Sequence, residues 1–566
     1  MKVWAPTSLR VRLVTDGVTH NLTRGEGGWW HTDVEPTGDY AFLLGQDDTP
    51  LPDPRSRWQP AGVHGPSRPY DHAAFGWTDQ DWTGRTLPGG VLYELHIGTF
   101  TAAGTFDAAI ERLDHLVELG IDFVEVMPVN AFDGTAGWGY DGVLWGVVHE
   151  PYGGPDGFKR FVDACHARGL GVLLDVVYNH LGPSGAYLGR FGPYFADRTI
   201  WGPALNLDGP DSDEVRRYVI DNALGWLRDF HIDGLRLDAV HALGDKGATH
   251  LLEKLASEVD ALAAGLRRPL SLIAESDLND PKLVTSRDAD GYGLTAQWCD
   301  DLHHALHVAL TGETDGYYRD FGAPGALATT LRQAFFHAGT WSSFRDRTHG
   351  RPIDPHRHTG DRFLIYLQNH DQIGNRATGD RLTASISPAR MLCGAAIVLC
   401  SPYTPMIFMG EEWAASTPWQ FFASFPDPVL ADAVRTGRRK EFAEHGWGAA
   451  EVPDPMSPDT VRHSTVDWSE LAEPAHRAVY DTYRALIALR RTHPEFADPR
   501  LDRFRVDSGD TWLVLHRGAR RVLVNLGTTA ATVQLDHDPG QVLLASAMPT
   551  IADRTITVPA ESFVVL

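Results

Sequence analysis

The sequence predicts an α/β protein: a (β/α)8 TIM barrel with an N-terminal β-sandwich domain of the immunoglobulin-like kind and a C-terminal antiparallel β-domain. Three observations point there. Eight short apolar segments alternate with helical patterns from Val91 onward. Polar and acidic residues gather where those segments end. Both chain ends instead show short alternating stretches broken by Gly, Pro and Asp.

Residues 1–87 carry SLRVRLV and DYAFLLG, whose alternation suits half-buried strands. A stretch rich in Pro, Gly and Trp near 50–90 leads into residues 88–494, the expected barrel. Its strand candidates are VLYELHI (91–97), FVEVMPV (123–129), GVLLDVV (171–177), GLRLDAV (234–240), SLIAES (271–276), LTAQW (294–298), FLIYLQN (363–369) and PMIFMG (405–410). They are short and apolar, as strands covered on both faces should be. Helical patterns separate them: FDAAIERLDHLVELG ending at Gly120, then PDGFKRFVDACHARG with Pro155 near its start and Gly169 at its end. DEVRRYVIDNALGWLRDF, THLLEKLASEVDALAAG, PARMLCGAAIVLC and AVYDTYRALIALRR follow. Residues 312–360 read as a helical insertion closing in a His/Arg/Pro-rich loop. Residues 495–566 return to strands (TWLVLHRG, RRVLVNLG, TITV).

The 566 residues, 43% hydrophobic and 22% charged, suit a large core. A net charge of −24 argues against nucleic acid and anionic membranes as partners. The longest apolar run, around Ala395–Leu399, is soon interrupted by Ser401 and Pro402, so no membrane span is expected. MKVWAPTSLRVRLV has no cationic segment followed by a long apolar one, and the expected location is cytoplasmic. Cys165, Cys299, Cys393 and Cys400 are widely spaced, which suits reduced core thiols. Trp29, Trp30, Trp138, Trp145 and Trp201 lie near glycines or turns, where a ring can be displayed to a sugar or packed in a core.

Asp233–His241 (DGLRLDAVH) poses the chemical question. On a strand, Arg236 and Asp238 share one face while Leu235 and Leu237 share the other, and two buried charges on one face need a reason. Barrel enzymes place their chemistry at the C-terminal ends of the strands. There the sequence sets Asp175 and His180, Arg236 and Asp238, Glu275, and His370 and Asp371. A single Asp at a strand end is ordinarily a cap; caps have no reason to collect at one end of four strands. Two carboxyl groups across a neutral substrate are the tools of glycosidic cleavage. Arg236 beside Asp238 favours a charged nucleophile, and Glu275, with no adjacent cation in sequence, suits the acid. A phosphate loop, H-E-x-x-H and G-x-S-x-G are absent from the sequence. His303 and His307, at i,i+4 spacing, suit a metal, substrate hydrogen bonds or helix packing.

At these residues the sequence resembles the α-amylase family of glycoside hydrolases: DVVYNH (175–180), DGLRLDAVH, IAES (273–276) and QNHDQ (368–372) match its four signature regions in order. The resemblance implies Asp238 as nucleophile, Glu275 as general acid/base and Asp371 as transition-state stabiliser. It implies that Asp175, His180, Arg236 and His370 support the subsite of cleavage, and that Tyr140 of WGYDG stacks on its sugar. AESDLND (274–280), QWCDDLHHALH (297–307), NHDQIGNRATGDRL (369–382), MGEEW (409–413) and GRRKEF (437–442) are similar to the family's trehalose-releasing members. That narrower likeness runs over nearly the whole chain, weakest before residue 90 and after 500. It implies hydrolysis of the α-1,4 bond joining a maltooligosaccharide to a terminal trehalose. The substrate is then maltooligosyltrehalose or a related α-glucan, with a pathway link to the maltooligosyltrehalose synthase. Further implied contacts are Leu237, Ala239, Val240 and His241; Asp301, His303 and His304; and Gln372, Ile373, Gly374 and Asn375.

Residues 179–210 are short and lack the acidic cluster of a calcium site, and Cys299 replaces an expected polar residue. No cofactor and no metal are assigned. The competing readings are a glycogen branching or debranching enzyme, and a non-catalytic α-glucan-binding barrel; water and sugar as acceptor are not separated by the pattern. Retention implies carboxyl groups about 5–5.5 Å apart.

Overall fold

The computed structural model describes residues 1–200, 202–443 and 452–566; Trp201 lies outside the described residues. Its centre is a closed barrel of eight parallel strands: β1 (Leu92–Leu95), β2 (Phe123–Val126), β3 (Gly171–Val176), β4 (Gly234–Leu237), β5 (Ser271–Ala274), β6 (Ala296–Trp298), β7 (Phe363–Tyr366) and β8 (Thr404–Phe408). Each pairs with its sequence neighbour, and β8 closes on β1 through Met406 opposite Leu92. All eight expected segments supply a strand.

The alternation within each strand separates two cores. Leu92, Phe123, Leu173, Ile273, Trp298, Leu364, Tyr366 and Met406 fill the barrel interior. Leu235 and Leu237 belong to the outer core with Val219, Ile220, Leu252 and Leu255 of the surrounding helices. Burying each such side chain contributes on the order of 1.5–3 kcal/mol. Inward from the same strands point groups that a purely structural barrel would not carry. Glu94 and Glu125 are register partners on β1 and β2, and Asp175 and Arg236 on β3 and β4.

Before the barrel lie two three-stranded antiparallel sheets; SLRVRLV and DYAFLLG supply the paired strands Val11–Thr15 and Tyr40–Leu44. After it, a five-stranded sheet (with Trp512–Arg517, Arg520–Asn525 and Ser562–Val565) and a three-stranded one form the antiparallel C-terminal part. Two elements differ from expectation. The first helical pattern is broken into Phe106–Ile110 and Leu113–Leu119, ending at Gly120 with φ 101°. Residues 312–360 hold the helix Ala326–Gln333 but also an antiparallel hairpin, Thr340–Ser342 with Arg347–His349. Glycines at positive φ on both sides (Gly339, 90°; Gly350, 73°) and β-favouring Thr340, Trp341 and Thr348 account for the hairpin.

The four cysteines are free and buried. Among the described residues no helix is long and apolar enough to cross a membrane.

Arg490, 2% exposed, ties this frame together: it donates to the carbonyls of Leu399 (3.1 Å), Ser401 (2.8 Å), Tyr403 (2.7 Å) and Phe496 (3.2 Å). Arg490→Ala should strand these carbonyls and destabilise the fold by about 3 kcal/mol. The check is calorimetric; an unchanged Tm would count against this role.

Candidate active site

At the C-terminal mouth of the barrel, Arg236 is wholly buried and its Nη1 donates to two carboxylates at once, Asp175 Oδ2 and Asp238 Oδ1, each at 2.7 Å. Its plane lies 4.3 Å from the centre of the Trp298 ring, so one face is covered by an electron-rich surface. Its other terminal nitrogen, Nη2, approaches Glu275 Oε2 at 3.8 Å. Asp238 is held from a second side by Asn179, whose Nδ2 donates to Oδ2 at 2.6 Å. Its carboxylate therefore has donors on both oxygens while remaining 13% exposed toward the cleft.

Glu275 is poised differently. Its Oε2 accepts from the backbone N–H of Ala239 at 2.6 Å, and Ala239 takes up a left-handed conformation (φ 40°) immediately after Asp238. That conformation is costly for a residue with a Cβ, and here it aims an amide at the second carboxyl group. Burial pushes Glu275 up to about 8; Asp238, Asp300 and Asp371 add to the rise and Arg236 opposes it.

Asp371 opens the helical turn His370–Gly374 after β7, capped by the Asn369 side chain. His370 Nε2 stands 3.4 Å from its Oδ2, and Asn375 Nδ2 donates to its Oδ1 at 3.2 Å. Tyr140 donates to Asp175 Oδ2 at 2.6 Å, meets His370 Nε2 at 2.8 Å and stacks on the His370 ring (centroids 5.1 Å). His180 Nε2 contacts the Tyr140 carbonyl at 3.0 Å, which fixes the loop carrying that tyrosine. Asp175, also raised by burial, to about 6, is drawn back by Arg236.

The structure thus gathers Tyr140, Asp175, His180, Arg236, Asp238, Glu275, His370, Asp371 and Asn375 at one mouth. Other predicted contacts stand elsewhere. Leu237 and Val240 are buried in the outer core, and Ala239 contributes its backbone. Half-buried His241 faces Asp277 at 3.9 Å. Ile373 is buried, the Gly374 carbonyl accepts from Arg438 (2.6 Å), and the Gln372 N–H is used by the Asn369 cap.

On the helix Asp300–Thr311 the side chains divide in a way the sequence reading did not anticipate. Asp301 turns inward and accepts from Asn279 Nδ2 and the His337 N–H, both at 2.8 Å. His303 and His304 are 1% and 5% exposed, packed with Tyr317 and Tyr318, and burial drives both below the ordinary imidazole range. His307 stacks on Tyr318 and pairs with Glu313 at 2.8 Å. His303 and His307 are engaged in packing and in the Glu313 pair, and among the described residues no group of three or more His, Cys, Asp or Glu is arranged to hold a metal. The preceding residue, Asp300, is the one on the catalytic side: Tyr366 donates to it, and its charge bears on Glu275. Cys299 precedes that helix without a side-chain capping bond, and its thiol donates to the Ala334 carbonyl at 3.0 Å.

Asp300, Asn179, Trp298, Tyr366 and Glu94 were not singled out from sequence. Alternation alone would have flagged Glu94, which shares the inward face of its strand with Leu92. Adjacent carboxylates such as Asp300 and Asp301 give no such sign of which faces the cleft.

Comparisons with known proteins place the chain among α-amylase-type proteins. The family model for the alpha amylase catalytic domain matches residues 73–191, and a domain of unknown function (DUF3459) matches residues 499–565. A malto-oligosyltrehalose trehalohydrolase of Mycobacterium tuberculosis is 54% identical, covering 100% of this chain and 98% of its own. One of Arthrobacter ramosus is 56% identical, covering 93% and 92%. The crystal structure of a Salmonella typhimurium protein whose name places it with the alpha amylases superposes with a TM-score of 0.91 at 37% identity, covering 100% of this chain and 97% of that one.

Because burial holds the Glu275 proton, its carboxyl should be protonated at about pH 6 and ionise as the pH rises through about 8. Infrared difference spectra against Glu275→Gln should show that protonated carboxyl; an ionised group throughout this range would contradict the geometry described.

Proposed function

The chain belongs to the malto-oligosyltrehalose trehalohydrolase family, and from that premise we propose that it cleaves the α-1,4-glucosidic bond next to the terminal trehalose of maltooligosyltrehalose, releasing trehalose and a maltooligosaccharide. The observation that carries the substrate is the 54–56% identity with relatives of that name over nearly the full length of both chains. For the roles of individual residues, the support is the asymmetry between two carboxyl groups around one guanidinium.

Asp238, bonded to Arg236 and Asn179, is the nucleophile: it attacks the anomeric carbon while the bond to O4 of the trehalose unit breaks. Glu275 enters protonated, gives its proton to that departing oxygen and is left as a carboxylate. It then takes a proton from water, which attacks the same carbon, frees Asp238 and restores the original anomeric configuration. Burial sets Glu275 up for the first step, and Arg236 answers the negative charge that Asp238 gives up on bonding to the sugar and regains when water frees it. Asp371 faces the positive charge that grows on the sugar ring, and Tyr140 offers that ring an aromatic surface. Asp300 stands beside this set.

Three parts divide the chain in this reading: 1–87, the catalytic 88–494 and 495–566. In this reading the substrate is supplied by a maltooligosyltrehalose synthase. Four buried unpaired cysteines suit a reducing compartment, in keeping with a cytoplasmic glucan pool.

Incubation with maltotriosyltrehalose should give free trehalose and maltotriose, with far slower attack on maltopentaose and no new branch points in amylose. Branch points without trehalose would instead indicate a glycosyl transferase. NMR of the fresh product should show the α anomer; the β anomer would exclude the two-step route. Asp238→Asn should lower kcat by about 10³-fold or more with Tm retained, and an active Asp238→Asn enzyme would refute the nucleophile.

A further inference from the structure

Glu94 is 1% exposed, lies on the inner face of β1, and takes no part in the mechanism above. Its two oxygens are both directed at one residue 276 positions away: Oε1 lies 2.5 Å from His370 Nδ1, and Oε2 accepts from the His370 backbone N–H at 3.0 Å. The other ring nitrogen, Nε2, lies 2.8 Å from the Tyr140 hydroxyl and 3.4 Å from Asp371 Oδ2.

With Asp175 ionised, proton bookkeeping along this chain has one consistent solution. Tyr140 donates its only proton to Asp175 Oδ2, an oxygen that also accepts from Arg236. Toward His370 the tyrosine oxygen can therefore only accept, so Nε2 carries a proton. Glu94, already accepting from the backbone amide, faces Nδ1 as an acceptor, so Nδ1 carries one too. Both ring nitrogens donate.

We infer that Glu94 is a positioning residue for the reaction: it holds His370 as a doubly protonated imidazolium aimed at Tyr140 and Asp371. The inference rests on the proposed role of Asp371. Its effect is to fix the ring that flanks Asp371 and to set a second positive charge in a mouth otherwise served by Arg236. The surroundings agree. Burial opposes a charge on His370, but the carboxylates of Asp371 and Glu94 overcome it and raise the imidazole to about 9, with Arg236 acting the other way. The ring is also faced by Tyr140, by the edge of Trp138 (5.8 Å) and by Trp298 (6.0 Å). Glu125, register partner of Glu94, is pushed well upward by burial and by Glu94 itself.

Glutamine at position 94 retains a carbonyl for Nδ1–H but presents an amide to the His370 N–H, which is already a donor. Glu94→Gln should therefore lower kcat/KM for maltotriosyltrehalose about 10²-fold, mainly through kcat, and Glu94→Asp should recover part of the loss. A merely structural role would not change the protonation of His370. In protein carrying ¹⁵N-labelled histidine, with the His370 signal assigned by its loss in His370→Asn, both ring nitrogens should be protonated at about pH 7.5 in the wild type. In Glu94→Gln the ring should be neutral. A neutral His370 in the wild type, or Glu94→Gln within twofold of wild-type kcat/KM, would overturn the inference. If Glu94→Gln does not fold, the wild-type signal and Glu94→Asp decide the question. Asp238→Asn assayed in parallel separates the two levels. An inactive Asp238→Asn beside a wild-type-like Glu94→Gln removes only the positioning role. An active Asp238→Asn removes the reading on which it rests.

Discussion

The site is organised around one guanidinium from which water is excluded. A buried arginine needs opposite charge beside it, and Arg236 donates to Asp175 and Asp238 from one terminal nitrogen; the other stands 3.8 Å from Glu275 and, like Nε, is buried without a hydrogen bond. Trp298 covers its face. Its place on β4 makes this possible: Asp175 on β3 is its register partner, and Glu275 follows β5 two residues beyond Ile273, its partner on the other side. The cost of burying so many charges is high, and a fold under no chemical demand would be more stable with apolar residues at those positions.

From that arrangement follows a division between two carboxyl groups. Asp238 has a cation and an amide on its oxygens; Glu275 has a backbone N–H and neighbouring negative charge, and burial leaves it protonated near neutrality. In the proposed mechanism, acid and nucleophile are thus separated by surroundings and not by residue type. Ala239 links them directly: its left-handed backbone, one residue beyond Asp238, supplies the N–H that holds Glu275. Beneath lies a second tier, in which Glu94, His370 and Tyr140 connect the barrel floor to Asp371 and Asp175.

Much of this was legible in the sequence. The barrel strands are short apolar runs, β1 to β4 interrupted by a charge and β5 ending just before Glu275, so the barrel and much of its rim could be read from pattern and motif. The remainder depended on rotation about helix and loop axes, which spacing does not encode. Asp300 and Asp301 are adjacent acids at a helix start, and only the packing of Tyr366 on one side and Asn279 on the other distinguishes them. His303 and His304 look polar in sequence, but Tyr317 and Tyr318 from the next segment enclose them. The hairpin at 340–349 was obscured because its strands are three residues long, too short for a period to declare itself.

The central claim, that Asp238 under the hold of Arg236 forms the bond to the sugar, is open to direct observation. Glu275→Gln incubated with α-maltosyl fluoride needs no acid for departure of fluoride but lacks the base for the second step, so the intermediate should accumulate. Peptide mass spectrometry after an acid quench should find one maltosyl group, esterified to Asp238. A maltosyl group on any other residue, or fluoride release with no adduct and with inverted product, would contradict it.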